Sequence, residues 1–285
     1  MPDGAAQTML QRSRGAAMAS FARRRGTVRL DDLRQFGSAK VMLPRGVGVP
    51  EAGCGDSVPE VVFLNTSGGL TGGDHLSYVL TLDRDCRVLA TTQTAERAYD
   101  AAGQPAVVEV TAKVGPGSRL DWLPQETLLY QAAHLERRTV IDLAADATCL
   151  LAETVILGRH AMGERLTDAR LSDQRMITRQ GRPVWAEHLA LTPGVLTSPS
   201  PALLNSARAF AVVCLMAQGA EDAVGPVRQV LGFGAQDFGA ASGWDGKCVV
   251  RLTAMDGWPL KQQLARVLRV LTGGTLPRVW QSGDA

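Results

Sequence analysis

The sequence of 285 residues predicts a mainly β fold with a few α-helices near the C-terminus. Three observations carry that expectation. Apolar and polar residues alternate with period two from about residue 16 to residue 215, the pattern of half-buried strands. Turn signals recur at Gly115-Pro116-Gly117, Arg179–Pro183, Pro193-Gly194 and Ser198–Pro201, which suits a long series of short strands. The last quarter changes to helical spacing. The expected organisation is a single domain over residues 1–285. It has a strand-rich body at about 11–218 and a mixed helix and strand part at about 219–285.

At the start, Ala5–Gly26 (AAQTMLQRSRGAAMASFARRRG) is rich in Arg and Ala and has no acid. Such composition is shared with mitochondrial transit peptides, but an opening strand or hairpin flanked by solvated Arg is the stronger reading. Val61–Leu64 and His75–Leu82 read as strands around a glycine-rich loop. Leu76, Tyr78, Leu80 and Leu82 alternate with Ser77, Val79 and Thr81, and Val108, Val110, Ala112 and Val114 with Glu109, Thr111 and Lys113. Cys149–Leu157 (CLLAETVIL) and Ala209–Met216 (AFAVVCLM) are nearly continuous apolar runs. They fit strands covered on both faces, although periodicity alone leaves helix open. Glu221–Leu231 carries a Val stripe interrupted by Gly225-Pro226, so a helix is expected to begin near Pro226. Lys247–Met255 reads as a further strand. Pro259–Leu271 is the clearest helix, with Leu260, Leu264, Val267, Leu268 and Leu271 on one face and Gly273-Gly274 as its stop.

Composition excludes several classes. Thirty basic residues against 28 acidic ones give a net charge of +2, too balanced for a dedicated nucleic-acid binder. No apolar run approaches the ~18 residues of a membrane span. The five cysteines, Cys54, Cys86, Cys149, Cys214 and Cys248, are dispersed without a C-x-x-C pair. That disfavours zinc ribbons and thiol redox chemistry and points to a reducing, cytoplasmic setting. A chain this long can bury a core without disulfides.

The densest punctuation is LNTSGGLTGGDHLSY at Leu64–Tyr78, where Gly68, Gly69, Gly72 and Gly73 precede Asp74. Gly68 and Gly73 have P-loop spacing, but Asp74 stands where the phosphate-binding Lys belongs and would repel phosphate. The spacing also fails the dinucleotide fingerprint, and a strand follows rather than a helix. A tight strand connection, with glycines supplying positive φ or close backbone approach, explains the stretch without chemistry.

The four histidines, His75, His134, His160 and His188, form no i, i+4 or H-x-H pair, and no serine sits in a G-x-S-x-G elbow. The acids are better placed. Asp74 follows the glycine loop, Glu96 follows TTQTA, Glu126 lies in LPQET, Glu153 lies inside CLLAETVIL, and Glu164 closes LGRHAMGE. A carboxylate inside an apolar run must be paired, hydrogen-bonded or wet. Arg159 is a candidate partner for Glu153. For each of these acids a structural ion pair is as good a reading as a ligand role.

QRSRGAAMASFARRRG, LPR, LNTSGGLTGGD, TTQTAERAY, LDWLPQETLLY, LLAETVILGRHAMGE and the terminal LPRVW occur in this order, from about Gln11 to Trp280. Together they resemble the urease accessory protein UreD (UreH) family. The resemblance implies a layered, helix-like winding of many short strands, with the Arg-rich opening as its first strand. It implies a non-enzymatic maturation factor that binds the urease apoprotein subunits and UreF, which in turn recruits UreG. Nickel would pass toward the urease site, through an internal tunnel, with no permanently bound cofactor, nucleic acid or membrane. The family's GGD acid falls on Asp74, its PQE acid on Glu126, and its GR-x-x-GE segment on Arg159, Gly163 and Glu164. Arg97 stands where the family often has Lys, and the family varies at the position of Glu153. The expectation is that Asp74, Glu126, Glu153 and Glu164 include residues that line a polar path or brace its walls. Carboxylates and waters hold nickel more weakly than Cys and His sets, which suits transit rather than storage. The alternatives are an adaptor that bridges urease and UreF without touching nickel, and a β-rich hydrolase with paired carboxylates.

Overall fold

The computed structural model describes residues 12–44, 58–159, 162–231 and 238–280. The chain winds back and forth between two sheets. β1 (Arg14–Arg24) and β2 (Thr27–Gly37) form a hairpin in the first sheet, and β3 (Ala39–Met42) and β4 (Glu60–Asn65) open the second. β5 (His75–Leu82) returns to the first sheet. β6 (Arg87–Thr92) crosses again and continues into the short β7 (Glu96–Ala98). The same move repeats with β8 (Ala106–Val114), then β9 (Arg119–Trp122) and β10 (Thr127–Leu129). It repeats once more with β11 (His134–Leu143) and β12 (Thr148–Leu157). A second hairpin, β13 (Arg170–Arg179) and β14 (Arg182–Leu191), closes the first sheet.

Because each coil runs the same way, the strands stack in parallel. The first sheet has the order β14-β13-β11-β8-β5-β1-β2, parallel inside and antiparallel only in its two edge hairpins. After α1 (Pro193–Thr197) the chain adds β15 (Ala209–Met216), a 3₁₀ turn at Ala220–Ala223 and α2 (Val224–Val230). It ends with β16 (Phe238–Trp244), β17 (Lys247–Ala254), α3 (Gly257–Thr272) and a last 3₁₀ turn at Arg278–Trp280. The second sheet reads β16-β17-β15-β12-β9-β6-β4-β3, with β7 and β10 as a side branch paired to β12.

The period-two residues explain the main core. Leu76, Tyr78, Leu80 and Leu82 of β5 and Val108, Val110, Ala112 and Val114 of β8 point between the sheets and are buried. The apolar runs β12 and β15 are covered on both faces. Leu151 and Cys214 face the first sheet, and Leu150, Val213 and Leu215 face a second core. That second core is closed by the α3 stripe, Leu260, Leu264, Val267 and Leu268, and by Val227 of α2. Asp256 caps α3 by accepting from the Trp258 N–H, and Gly273 ends it at φ 69°.

Two local expectations shift. The helix expected near Pro226 begins at Val224, which leaves Pro226 in its first turn, where its missing N–H costs nothing. Pro193-Gly194, read as a turn, opens the five-residue α1 with Pro at the helix start. The Arg-rich opening is β1 and the first half of a hairpin. Its residues before Arg12 lie outside the described residues.

Candidate functional site

The glycine loop and the acid-bearing segments occupy one corner of successive coils. β6 breaks at Gln93–Ala95 before β7, and β9 breaks at Leu123–Glu126 before β10, while β12 runs unbroken past both bends. Leu70 bridges Ala98 in parallel, Glu96 aligns with Thr127, and Thr127 aligns with Val155. Four separate stretches of sequence thus stack as layers. At the bends, side chains complete the backbone pairing: Thr91 Oγ1 donates to the Leu123 carbonyl at 2.7 Å and Thr92 Oγ1 accepts from the Gln125 N–H at 2.9 Å.

The bends leave space behind them. A surface cleft of about 420 Å³ is lined by Arg12, Ser13, Gly68, Gly69, Asp74 and Tyr99, among others. Gly68 and Gly69 also wall an inner cavity of about 50 Å³ with Asn65, Tyr78, Thr92 and Glu96. Tyr78, Thr92 and Glu96 in turn wall a third space of about 40 Å³, completed by Trp122, Gln125, Arg137 and Glu153. Each inner cavity has room for a few waters and polar groups to hold them.

Glu96 joins the two inner cavities. Asn65 Nδ2 lies 3.2 and 3.3 Å from its two carboxyl oxygens. Burial outweighs that bond and the charge of Arg97, and pushes Glu96 up to about 7. Glu153 points from β12 into the inter-sheet space, 3.3 Å from Trp122 Nε1 and 2.7 Å from Arg137 Nη1. The Arg137 contact is an ion pair rather than an aligned hydrogen bond. Burial raises Glu153 against the opposing charge of Arg137.

Arg137 is held more firmly by Asp173, through Nε at 3.1 Å and Nη2 at 2.6 Å, and donates to Thr127 Oγ1 at 3.0 Å. Asp173 also accepts from Arg175. Arg175 reaches Glu187 at 3.0 Å, and Glu187 accepts from the exposed Arg251 at 2.7 Å. Charges therefore alternate from the inner cavity to the surface. Burial alone would raise Asp173, but its two guanidinium partners hold it below the usual carboxylate range. Burial alone would lower Arg137, but Asp173 and Glu153 keep it protonated.

The four acids singled out in the sequence are not gathered together. Asp74 is buried beside the cleft and accepts from the backbone N–H groups of Ser13 (2.7 Å) and Thr71 (2.9 Å), which locks the loop to the first strand. Glu126 turns toward α3 and meets Lys261 at 3.2 Å. Lys261 also bonds Gln125 at 2.8 Å and lies over the Trp280 ring. Glu164 braces its own loop. It accepts from the N–H groups of Gln131 (3.1 Å) and Arg159 (2.8 Å) and from Arg159 Nε at 3.0 Å, and that guanidinium lowers its pKa. Gly163 lies in this loop at φ 70°. Only Glu153 lines an inner cavity, and only Asp74 lines the cleft.

The expected Glu153–Arg159 pair does not form. Arg159 is committed to Glu164 and to the face of Tyr130, while Glu153 is paired with Arg137 from the opposite sheet. Arg137, Asp173 and Arg175 were legible in principle. They occupy inward positions of β11 and β13, in register with Leu135 and Thr139 and with Leu171 and Ile177. Glu96 stood among the sequence's acids without being singled out for the path, although it borders both inner cavities.

Among the described residues, no three His, Cys, Asp or Glu side chains converge as a metal cage. The glycines of the loop are explained by packing. A Cβ on Gly72 would lie 1.7 Å from the Ala101 carbonyl oxygen, and one on Gly69 would strike the Tyr99 ring. Gly68 and Gly73 adopt positive φ.

A profile described as UreD urease accessory protein matches residues 13–281. A Cereibacter sphaeroides protein described as urease accessory protein UreD is 54% identical over 95% of this chain and 96% of its own length. A Paracoccus denitrificans protein of the same description is 47% identical over 99% and 96%. One from Jannaschia sp. is 46% identical over 95% and 96%. With nearly the whole chain matched by the profile and by relatives 46–54% identical, the chain belongs to the UreD family of urease accessory proteins.

Proposed function

We propose that this chain is a cytoplasmic urease maturation factor that binds the urease apoprotein and the UreF/UreG accessory proteins and passes nickel, as cargo, through its inter-sheet interior. One observation supports the passage above all. The cleft and the two inner cavities share lining residues in sequence, Gly68 and Gly69 first and then Glu96. Asp74, Glu96 and Glu153 are thereby distributed along one route, polar at its outer end and walled also by Val108, Val110, Trp122 and Leu135 at its inner end. Single carboxylates backed by carbonyls and waters bind a divalent cation weakly and exchange it readily. Arg137 adds to that weakness, since a cation at Glu153 must share the carboxylate with a guanidinium 2.7 Å away. Glu126 and Glu164 serve this reading as wall braces, through Lys261 and Arg159. The described cysteines are free and buried, which supports a reducing compartment, and no helix of the described residues is long and apolar enough to cross a membrane.

The Arg137–Glu153 pair also favours a second reading, an adaptor that carries no cargo, because it leaves Glu153 already neutralised. A hydrolase is disfavoured. Glu96 and Glu153 do border one cavity, but at about 40 Å³ that cavity has room for a water or two and not for a substrate.

The test is co-expression of the tagged chain with the urease subunits and the other accessory proteins at limiting nickel. Co-purification of urease or UreF reads the scaffold role. Glu96→Leu and Glu153→Leu are expected to leave co-purification unchanged and to lower urease nickel content and activity severalfold. Unchanged nickel content in both variants would leave the adaptor reading standing.

A further inference from the structure

The outer face of the first sheet is the least expected surface of the molecule. Parallel sheets are normally covered on both faces. Here the two longer helices lie on the second sheet instead. Register places Met18, Val79, Thr111, Val140, Met176 and Ala186 in one row across six strands of that outer face. Met18 is 42% exposed and Met176 38%. This is an apolar stripe on a surface that faces solvent.

Charges flank the stripe at its centre. Two residues to one side, Glu109 on β8 stands beside Arg138 on β11. Two residues to the other side, Lys113 on β8 stands beside Asp142 on β11. The signs form a square in which each corner is opposite to its neighbours. Glu109 is engaged by His75 at 2.9 Å, and Asp142 accepts from the Thr178 hydroxyl at 2.5 Å. Arg138 and Lys113 have no ion-pair partner among the described residues.

Such a square is complementary to itself. Let a two-fold axis lie parallel to the strands, between β8 and β11. It then sets Glu109 of one copy against Arg138 of the other, and Lys113 against Asp142, twice each. The same axis lays the stripe on its own reverse: Met18 against Ala186, Val79 against Met176, and Thr111 against Val140. We propose that this face is a two-fold interface between two copies of this chain, with the apolar stripe as its centre and the four charges fixing its register. The proposal is independent of the cargo reading, because no residue of the stripe or the square lines the inner cavities.

Sedimentation of the purified full-length chain across the micromolar range tests it. The native chain is expected to show a monomer–dimer equilibrium. Glu109→Lys and Arg138→Glu should each weaken it by roughly tenfold or more, through like charges placed face to face. Mixing these two variants should restore a heterodimer, because each then supplies the sign the other lacks. Mixing Glu109→Lys with Lys113→Glu should not, since the ammonium introduced in the first variant then faces the unaltered Arg138 of the second. Rescue in the first mixture also shows that both variants are folded. A folded native chain that stays monomeric throughout overturns the proposal, as does undiminished dimerisation of both single variants. Protection of this face from hydrogen exchange by urease apoprotein, with no dimer of the chain alone, would assign the face to that protein and overturn it equally.

Discussion

Glu96 is a carboxyl group whose surroundings favour its neutral form. Its pKa of about 7 exceeds the unfolded value of ~4.3 because burial costs the charged form more than Asn65 returns. Between those two values the native state binds more protons than the unfolded chain. Stability is therefore fully present below the lower value and falls as pH rises through the upper one. Glu96→Gln should match the native chain at a pH of about 4 and exceed it by roughly 1–3 kcal/mol at a pH of about 8, by urea denaturation. Equal pH slopes for the two proteins would contradict the assignment. Asp173 presents the opposite case. It is shared by two buried guanidinium groups, so Asp173→Ala should cost ~3–5 kcal/mol by leaving Arg137 with Glu153 and Arg175 with Glu187 as their one remaining acid each. A melting temperature close to that of the native chain would show that water reaches them. The sequence exposes Glu153 as an acid in an apolar run, but not its partner. Arg137 lies on another strand in another sheet, and period two reports which side a residue faces, never what waits across the gap.

Among the elements, the strands were the most legible. Alternation in β5 and β8 and the apolar runs of β12 and β15 reflect one-sided and two-sided burial directly. The C-terminal helix was equally clear, because its stripe and its glycine stop agree, while its Asp256 cap is seen only in the structure. The breaks that separate β6 from β7 and β9 from β10 were not legible. LPQET and TTQTA read as punctuation, and only parallel stacking shows that they bend at one level. The glycine loop belongs to the same corner. Gly72 packs where no side chain fits, its hypothetical Cβ meeting backbone on two sides, the Ala101 and Gln104 carbonyls. Gly72→Ala is expected to lower stability by ~1–3 kcal/mol in thermal melts, the range for overpacking a close contact. A neutral outcome would mean that the segment near Ala101 yields easily.

For the molecule as a whole, the two cores make the C-terminal part inseparable from the strand-rich body. β17 pairs with β15, and α3 covers the outer side of β12 and β15. Arg87 and Arg119 reach from β6 and β9 to the carbonyls of Thr272 and Leu271 at the end of α3. Cutting the chain after residue 218 should therefore yield insoluble protein, since it bares Leu150, Val213 and Leu215. A soluble, cooperatively melting fragment would refute that dependence. The layered winding itself came from the family resemblance rather than from periodicity, because strand order in space is not written in local pattern. The winding also sets a timetable. Each coil adds one layer to the corner, and the second inner cavity needs residues from Tyr78 to Glu153. During synthesis Arg137 emerges before both of its acids, first Glu153 and then Asp173. Most of the two-sheet wall can be wound while the interior still lacks its charge balance. The buried charges are completed only when Asp173 arrives, so a chain ended before it would hold Arg137 between the sheets with at most one of its two acids.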